Sequence, residues 1–241
     1  MFNKSLKYSY ADQKNIAAKR RGIFFTVLSF FVIYLLITNF FFSVMVLKNI
    51  SMLPTLNYGD RLIFSSLGIK KNLPDLPFFD ELPAKRGSIV LIRKSALRNV
   101  SVIKFALDKL FRFFTANNAG FPGVANEIFI KRIIALPGDT ISMSNFVLRV
   151  QPADEKYTFT EFELSDKMYR INIPNVPALW DEAIPFSGNM EKITLGSDEF
   201  FVLSDDRGNT NDSRTWGPIP AGFISGTAVF RYWPLNKIGF P

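Results

Sequence analysis

At 241 residues, the chain has room for one membrane-sized apolar segment and one domain with a real core, but not for several large domains. It contains neither cysteine nor histidine, which excludes disulfides, thiolate nucleophiles, zinc-thiolate and histidine-based metal sites, and Ser-His-Asp or Cys-His catalysis. A formal charge of +8 ordinarily raises nucleic-acid binding, but much of it lies in one short tail, and no nucleic-acid partner is expected.

That tail is residues 1–21, where Lys4, Lys7, Lys14, Lys19, Arg20 and Arg21 face a single acid, Asp12, for a net +5. Residues 22–47 then carry no charge at all and are rich in Phe, Ile, Leu and Val, long enough in helical form to span a hydrocarbon core of roughly 30 Å. A basic flank ahead of such a run holds the N-terminus in the cytoplasm and puts the C-terminal remainder of the chain outside. The competing reading is a cleavable secretory signal, but the run is much longer than a signal's apolar region and no small-x-small cleavage site closes it. The sequence therefore predicts a retained transmembrane anchor over 22–47 and an extracytoplasmic domain over 48–241.

Past the anchor the pattern changes to short segments rich in Ile, Val and Phe, separated by Gly, Pro, Asn and Asp. Residues 61–65, 88–93, 127–135, 140–144, 146–150, 157–164, 199–203 and 224–233 read as strands, so the domain is expected to be mainly β. Prolines and glycines make 72–83 and 117–126 loops. Residues 100–114 differ: Ile103, Leu107, Leu110 and Phe114 recur at helical spacing, while Lys104, Asp108 and Arg112 fall on another face. This amphipathic helix either packs on the β domain or lies in a membrane interface. The late aromatics Phe230, Tyr232, Trp233 and Phe240 carry the same two readings, core or interface.

Three stretches hold side chains suited to chemistry. In Asn49-Ile50-Ser51-Met52-Leu53-Pro54-Thr55-Leu56, Ser51 comes shortly after the apolar run, and Pro54 limits how the local backbone can fold. A serine hydroxyl needs a base to become a nucleophile, and without histidine that base must be a lysine or a carboxylate. A lysine can serve only when neutral, which requires burial among apolar groups. Lys131 lies in Ile128-Phe129-Ile130-Lys131-Arg132-Ile133-Ile134, where a strand would set Phe129, Lys131 and Ile133 on one face and Arg132 would disfavour a second positive charge. The alternative for Lys131 is a snorkelling edge lysine whose head reaches water.

The third stretch, 204–217, is dense in Asp, Asn, Ser and Thr and must be a loop. Arg207 at a ligand position and the lack of a closing glutamate argue against a calcium loop. An Asp212–Arg214 ion pair would instead stiffen the loop and leave Thr210 to orient a neighbouring amine.

Together, and in this order, these stretches resemble the type I signal peptidases, membrane-anchored serine proteases with a β domain. The Ser51 to Leu56 block is similar to that family's nucleophile block, Arg86-Gly87-Ser88-Ile89-Val90 to its next strand, where an aspartate commonly replaces Ser88, and the block from Lys131 to Asp139 to the one holding the catalytic lysine. The loop through Asp205, Asp212, Ser213 and Arg214 is similar to the last block. There Thr210 stands for a serine that buttresses the lysine, while Ser204 and Asp206 replace the usual glycine and asparagine.

The resemblance implies that Ser51 attacks the scissile carbonyl, that Lys131 is general base, and that Asn49 helps the Ser51 N–H to bind the oxyanion. It also implies signal peptides of exported preproteins as substrates, cut after small side chains at the first and third positions. Met52, Leu56, Phe129 and Ile130 are the candidates for lining those pockets, by adjacency to the dyad. A bacterial cytoplasmic membrane, contact with membrane lipid and no metal or organic cofactor complete the expectation. The rivals are a self-cleaving Ser-Lys protease, for which no DNA-binding segment is visible, and a catalytically silent relative acting as a membrane-bound scaffold or adaptor. The resemblance leaves about 95–126 and 151–190 unaccounted for as insertions.

Overall fold

The computed structural model describes residues 10–40, 42–65, 85–94, 127–175 and 188–241. The amphipathic segment 100–114 and the loops 72–83 and 117–126 lie outside them. The chain divides into two units, Met1–Phe41 and Phe42–Pro241.

The first unit contains α1 (Tyr10–Phe40), 31 residues long. Along it, Ile23, Phe24, Phe25, Val27 and Phe30 are all more than half exposed. Over the described side chains, no helix is long and apolar enough to cross a membrane. The helix stops at Phe40, short of the expected end of the apolar run, because Phe42–Val46 forms a strand, β1, in the second unit.

That second unit is mainly β, with every paired strand antiparallel. A seven-stranded sheet runs β1, β2 (Arg61–Ser65), β11 (Ile224–Trp233), β3 (Ile89–Lys94), β4 (Glu127–Ala135), β9 (Glu199–Leu203), β10 (Ile219–Pro220). A four-stranded sheet runs β7 (Phe159–Thr160), β6 (Val147–Gln151), β5 (Thr140–Ser144), β8 (Met190–Thr194). Alternation explains most of these elements: in β2, Leu62 and Phe64 are buried while Arg61 is exposed.

Two expected strands change shape. Residues 157–164 yield only the two-residue β7, because the chain turns at Glu161, whose side chain goes inward to Arg207. Phe146 belongs to a hairpin turn rather than to β6. Asn145 and Phe146 both have positive φ, 51° and 65°, as a two-residue connection between right-twisted strands requires. The Phe146 ring is held in this conformation by burial against Gly188, where an added Cβ would meet the ring at 2.6 Å.

β4 is the strand around which the core divides. Ile130 joins Leu47, Met52, Leu56, Leu62, Phe64, Ile89 and Leu91 in one cluster. Ile133, with Phe129 packed alongside, joins Val90, Ile92 and Val202 in another. A register shift between Ile133 and Ala135 then sends Ile134 and Ala135 into a third cluster, with Ile141, Leu148, Val150 and Leu203. Both faces of β4 are therefore covered from Ile130 to Ala135, so Lys131 and Arg132 are removed from water while Glu127 at the strand's start stays exposed.

Candidate active site

Lys131 occupies the middle of β4, opposite Val90 of β3. Strand alternation sets it on the face of Phe129 and Ile133, and it is 2% exposed. Its amine donates to Ser204 Oγ at 2.8 Å. Burial is the largest influence on its pKa and, with the nearby Arg214 charge, lowers it from 10.5 to about 8 against the opposing pull of Asp212, Asp205 and Asp206. A snorkelling amine is thereby excluded for this conformation.

The like charge that acts on Lys131 is Arg214, not the expected Arg132. Arg132 points to the other face of β4, where Asp205 accepts from its Nε at 2.8 Å and its Nη2 at 2.6 Å. Its Nη1 donates to the Gly87 carbonyl at 2.6 Å, and its guanidinium lies 4.0 Å from the centre of the Tyr169 ring. Gly87 itself has φ +82°, and a Cβ there would fall 2.1 Å from Ser165 Oγ.

Ser51 lies 1% exposed in a turn closed by the Leu53 N–H to the Ile50 carbonyl and the Leu56 N–H to the Met52 carbonyl. Its carbonyl accepts from the Asp206 N–H at 3.0 Å, and Thr55 Oγ1 donates to Asp205 Oδ2 at 2.5 Å. Residues 204–206 are therefore a shared support. Ser204 receives the Lys131 amine, Asp205 holds Arg132 and Thr55, and Asp206 holds the Ser51 backbone. Behind this segment, Asn172 pairs with Asp206 as an isolated bridge, and the wholly buried Arg207–Glu161 pair ties it to the turn after β7.

Asn49 is exposed, and in this conformation its amide acts toward Ser51 as an acceptor, whereas the expected role was donation to the oxyanion. Its Oδ1 receives the Ser51 hydroxyl at 2.9 Å and the Ser51 N–H at 3.3 Å. A backbone N–H must find an acceptor, so the amide oxygen, not its nitrogen, faces Ser51.

The last loop is organised as the sequence suggested in one respect and not in another. Arg214 grips Asp212 with Nε at 3.0 Å and Nη2 at 2.8 Å, and also donates to the carbonyls of Arg207 and Asn209. Asp212 in turn caps α2 (Ser213–Trp216) and accepts the Ser204 N–H at 2.9 Å. Burial pushes the Asp212 pKa up, but the hydrogen bonds and charge of Arg214 prevail and hold it below the usual carboxylate range. Thr210, by contrast, does not meet the Lys131 amine; its carbonyl accepts from the Thr215 hydroxyl. The amine's hydroxyl partner is Ser204 because β9 pairs with β4 and delivers residue 204 beside Lys131 at the strand's end.

The pocket candidates fare differently again. Met52 and Leu56 are 0% exposed and Ile130 is 5% exposed, all three packed in one core cluster, so none is open to a substrate in this conformation. Phe129 is partly buried and packs against Trp216 at 4.9 Å between ring centres. Adjacency to a reactive residue in the chain does not put a side chain on the same surface.

Sequence reasoning gave Ser204, Thr55, Asp205 and Tyr169 no role in the site, and set Arg132 against Lys131 where the structure pairs it with Asp205. The one available signal was that Ser204 stands where the family usually has glycine, which puts a hydroxyl where the relatives have none.

A histidine-free chain with a buried, deprotonable lysine and a buried serine held by one three-residue support has the parts of a lysine-assisted serine hydrolase. Comparison with known proteins gives the family. Residues 20–233 match the family model described as Signal peptidase, peptidase S26. Signal peptidase I of Leptolyngbya laminosa is 31% identical over 192 residues, covering 78% of this chain and 68% of that protein. Probable signal peptidase I-1 of Synechocystis is 28% identical over 191 residues, 78% of this chain and 70% of that one. Signal peptidase I of Bacillus caldolyticus is 28% identical over 203 residues, 83% and 85%. The chain belongs to the signal peptidase family, peptidase S26, and is a serine endopeptidase.

Proposed function

We propose that this protein removes signal peptides from exported preproteins, with Ser51 as nucleophile and Lys131 as general base, while anchored in a bacterial cytoplasmic membrane by α1. The observation that carries the proposal is the Lys131 amine: buried, lowered to a pKa of about 8, and bonded to the same short segment that holds the Ser51 backbone. Near neutral pH such an amine is uncharged in a useful fraction of molecules, which is what a proton acceptor needs.

The reaction runs in two halves. As Ser51 Oγ bonds to the scissile carbonyl carbon, its proton passes to the Lys131 amine. The ammonium so formed returns the proton to the departing amine as the C–N bond breaks, leaving an acyl-enzyme. Water, deprotonated by the regenerated amine, then attacks the acyl carbon, and the ammonium returns the proton to Ser51 Oγ as the C–O bond breaks and the acid leaves. Two local moves precede chemistry. The Ser51 hydroxyl leaves Asn49 Oδ1 and turns toward Lys131, and exposed Asn49 releases the Ser51 N–H, which becomes free to donate to the oxyanion. Asp212 and Arg214 keep the support under Ser204 rigid.

For the anchor, the supporting observations are the absence of charge over 22–40 within a continuous helix, the basic tail before it, and the exposure of its large apolar side chains. This topology is N-in with the β unit outside the cytoplasm, where an exported preprotein presents its cleavage site. Small side chains at the first and third residues before the cut suit a site whose nearby apolar residues are already packed.

The test is cleavage of a preprotein by the full chain in detergent. Ser51→Ala and Lys131→Ala are each expected to lose activity by roughly 10⁴-fold while remaining folded. Wild-type rates from either variant would remove that residue from the mechanism.

A further inference from the structure

We propose that Ser204, and not Thr210, is the hydroxyl that positions Lys131 for proton transfer. The inference rests on Lys131 being the base and adds a residue to that reading.

Ser204 is 0% exposed, sits immediately after β9, and has its backbone N–H fixed by Asp212 Oδ2 at 2.9 Å. Its Oγ, placed beside β4 by sheet pairing, accepts from the Lys131 amine at 2.8 Å. A lysine side chain is long and rotamer-rich, and the Ser204 bond fixes its head at little further entropic cost because the acceptor is already immobile. The direction of the bond matters chemically. A neutral amine that donates one N–H to Ser204 retains its lone pair for the Ser51 proton. Thr210 lies six residues farther along, in a segment that meets Thr215 and Asp212 through the Thr210 carbonyl. The chain therefore carries its positioning hydroxyl at the base of the loop, on the sheet, where a glycine would leave none.

An acceptor also favours the charged form of the amine it faces. Removing the Ser204 hydroxyl should lower the plateau rate and also move the rising limb of the pH profile to lower pH. Loss of folding alone would reduce active enzyme without moving that limb.

The experiment compares preprotein cleavage in detergent from acid to mildly alkaline pH by the full-length wild type, Ser204→Ala, Ser204→Gly, Thr210→Val, Ser51→Ala and Lys131→Ala. The first two variants should lose about tenfold or more in kcat with KM nearly unchanged and an acid-shifted limb, while Thr210→Val stays within about threefold of wild type. Glycine at 204 adds no bulk, so it remains informative should alanine disturb folding. The proposal is overturned if both Ser204 variants keep the wild-type plateau and limb, or if Thr210→Val alone reproduces the loss. Wild-type rates from Lys131→Ala would instead overturn the underlying base assignment, so the two failures are distinguishable.

Discussion

The two faces of β4 hold adjacent cations and treat them in opposite ways. Arg132, on the face shared with Ile130, is clasped by Asp205 through two nitrogens, by the Gly87 carbonyl and by the Tyr169 ring, so its charge is met where it stands. Lys131, on the face shared with Phe129 and Ile133, is offered a neutral serine hydroxyl, and the carboxylates of Asp212, Asp205 and Asp206 act on it as charges without a hydrogen bond to its amine. Both residues are 2% exposed. Burial is thus common to the two faces; it is the largest influence lowering the Lys131 pKa to about 8, while Arg132 has its charge paired by Asp205 where it stands. The residue types fit this division, since a guanidinium stays protonated in proteins while a desolvated ammonium does not.

The largest way to sharpen that contrast is to replace each cation by methionine. Lys131→Met should abolish cleavage, by roughly 10⁴-fold in kcat, without lowering the melting temperature, because the desolvation cost of an amine leaves with it. Arg132→Met should do the reverse to stability and cost about 3–5 kcal/mol in denaturant unfolding, because Asp205 is left buried without its counter-charge. Adding Asp205→Leu to Arg132→Met should recover much of that loss. If Lys131→Met proved as destabilising as Arg132→Met, the two faces would not differ in the way described.

How much of this was legible beforehand depended on whether the signal was local. Most strands of the β unit came from alternation, and Lys131 stood out because Phe129 and Ile133 flank it at the right spacing. β1 did not, since Phe42–Val46 continues the composition of the apolar run and nothing in the residues marks where helix becomes strand. β8, Met190–Thr194, has only partly buried or exposed residues and lacks a clear alternating signal. The Asp212–Arg214 pair was readable at a separation of two residues. Ser204 was not, because its meeting with Lys131 depends on β9 pairing with β4 across 73 residues. Met52 and Leu56, expected on a binding surface, lie in the core in this conformation for a related reason: neighbours of a reactive serine can face the core.

That last correction gives the next prediction. Met52→Ala should cost about 2–5 kcal/mol of stability through the cavity it opens beside Leu56 and Ile130, whereas a pocket-lining residue would change substrate preference and leave stability alone. Smaller still is the pH effect. The folded pKa of Lys131 is lowered, so the fraction of neutral amine should rise about tenfold per pH unit from acid up to a pH of about 8 and level off beyond it. A profile that is flat from acid to alkaline pH, with chemistry rate-limiting, would separate activity from this amine.

The most direct measurement is a nitrogen NMR titration of the lysine amines in the intact, detergent-solubilised protein, with the Lys131 signal assigned by its loss in Lys131→Met. The account predicts that this amine titrates with a midpoint of about 8, while an ordinary lysine does so near 10.5. A Lys131 midpoint at or above 10.5 would contradict it, because the amine would then be charged throughout the range in which the enzyme must work.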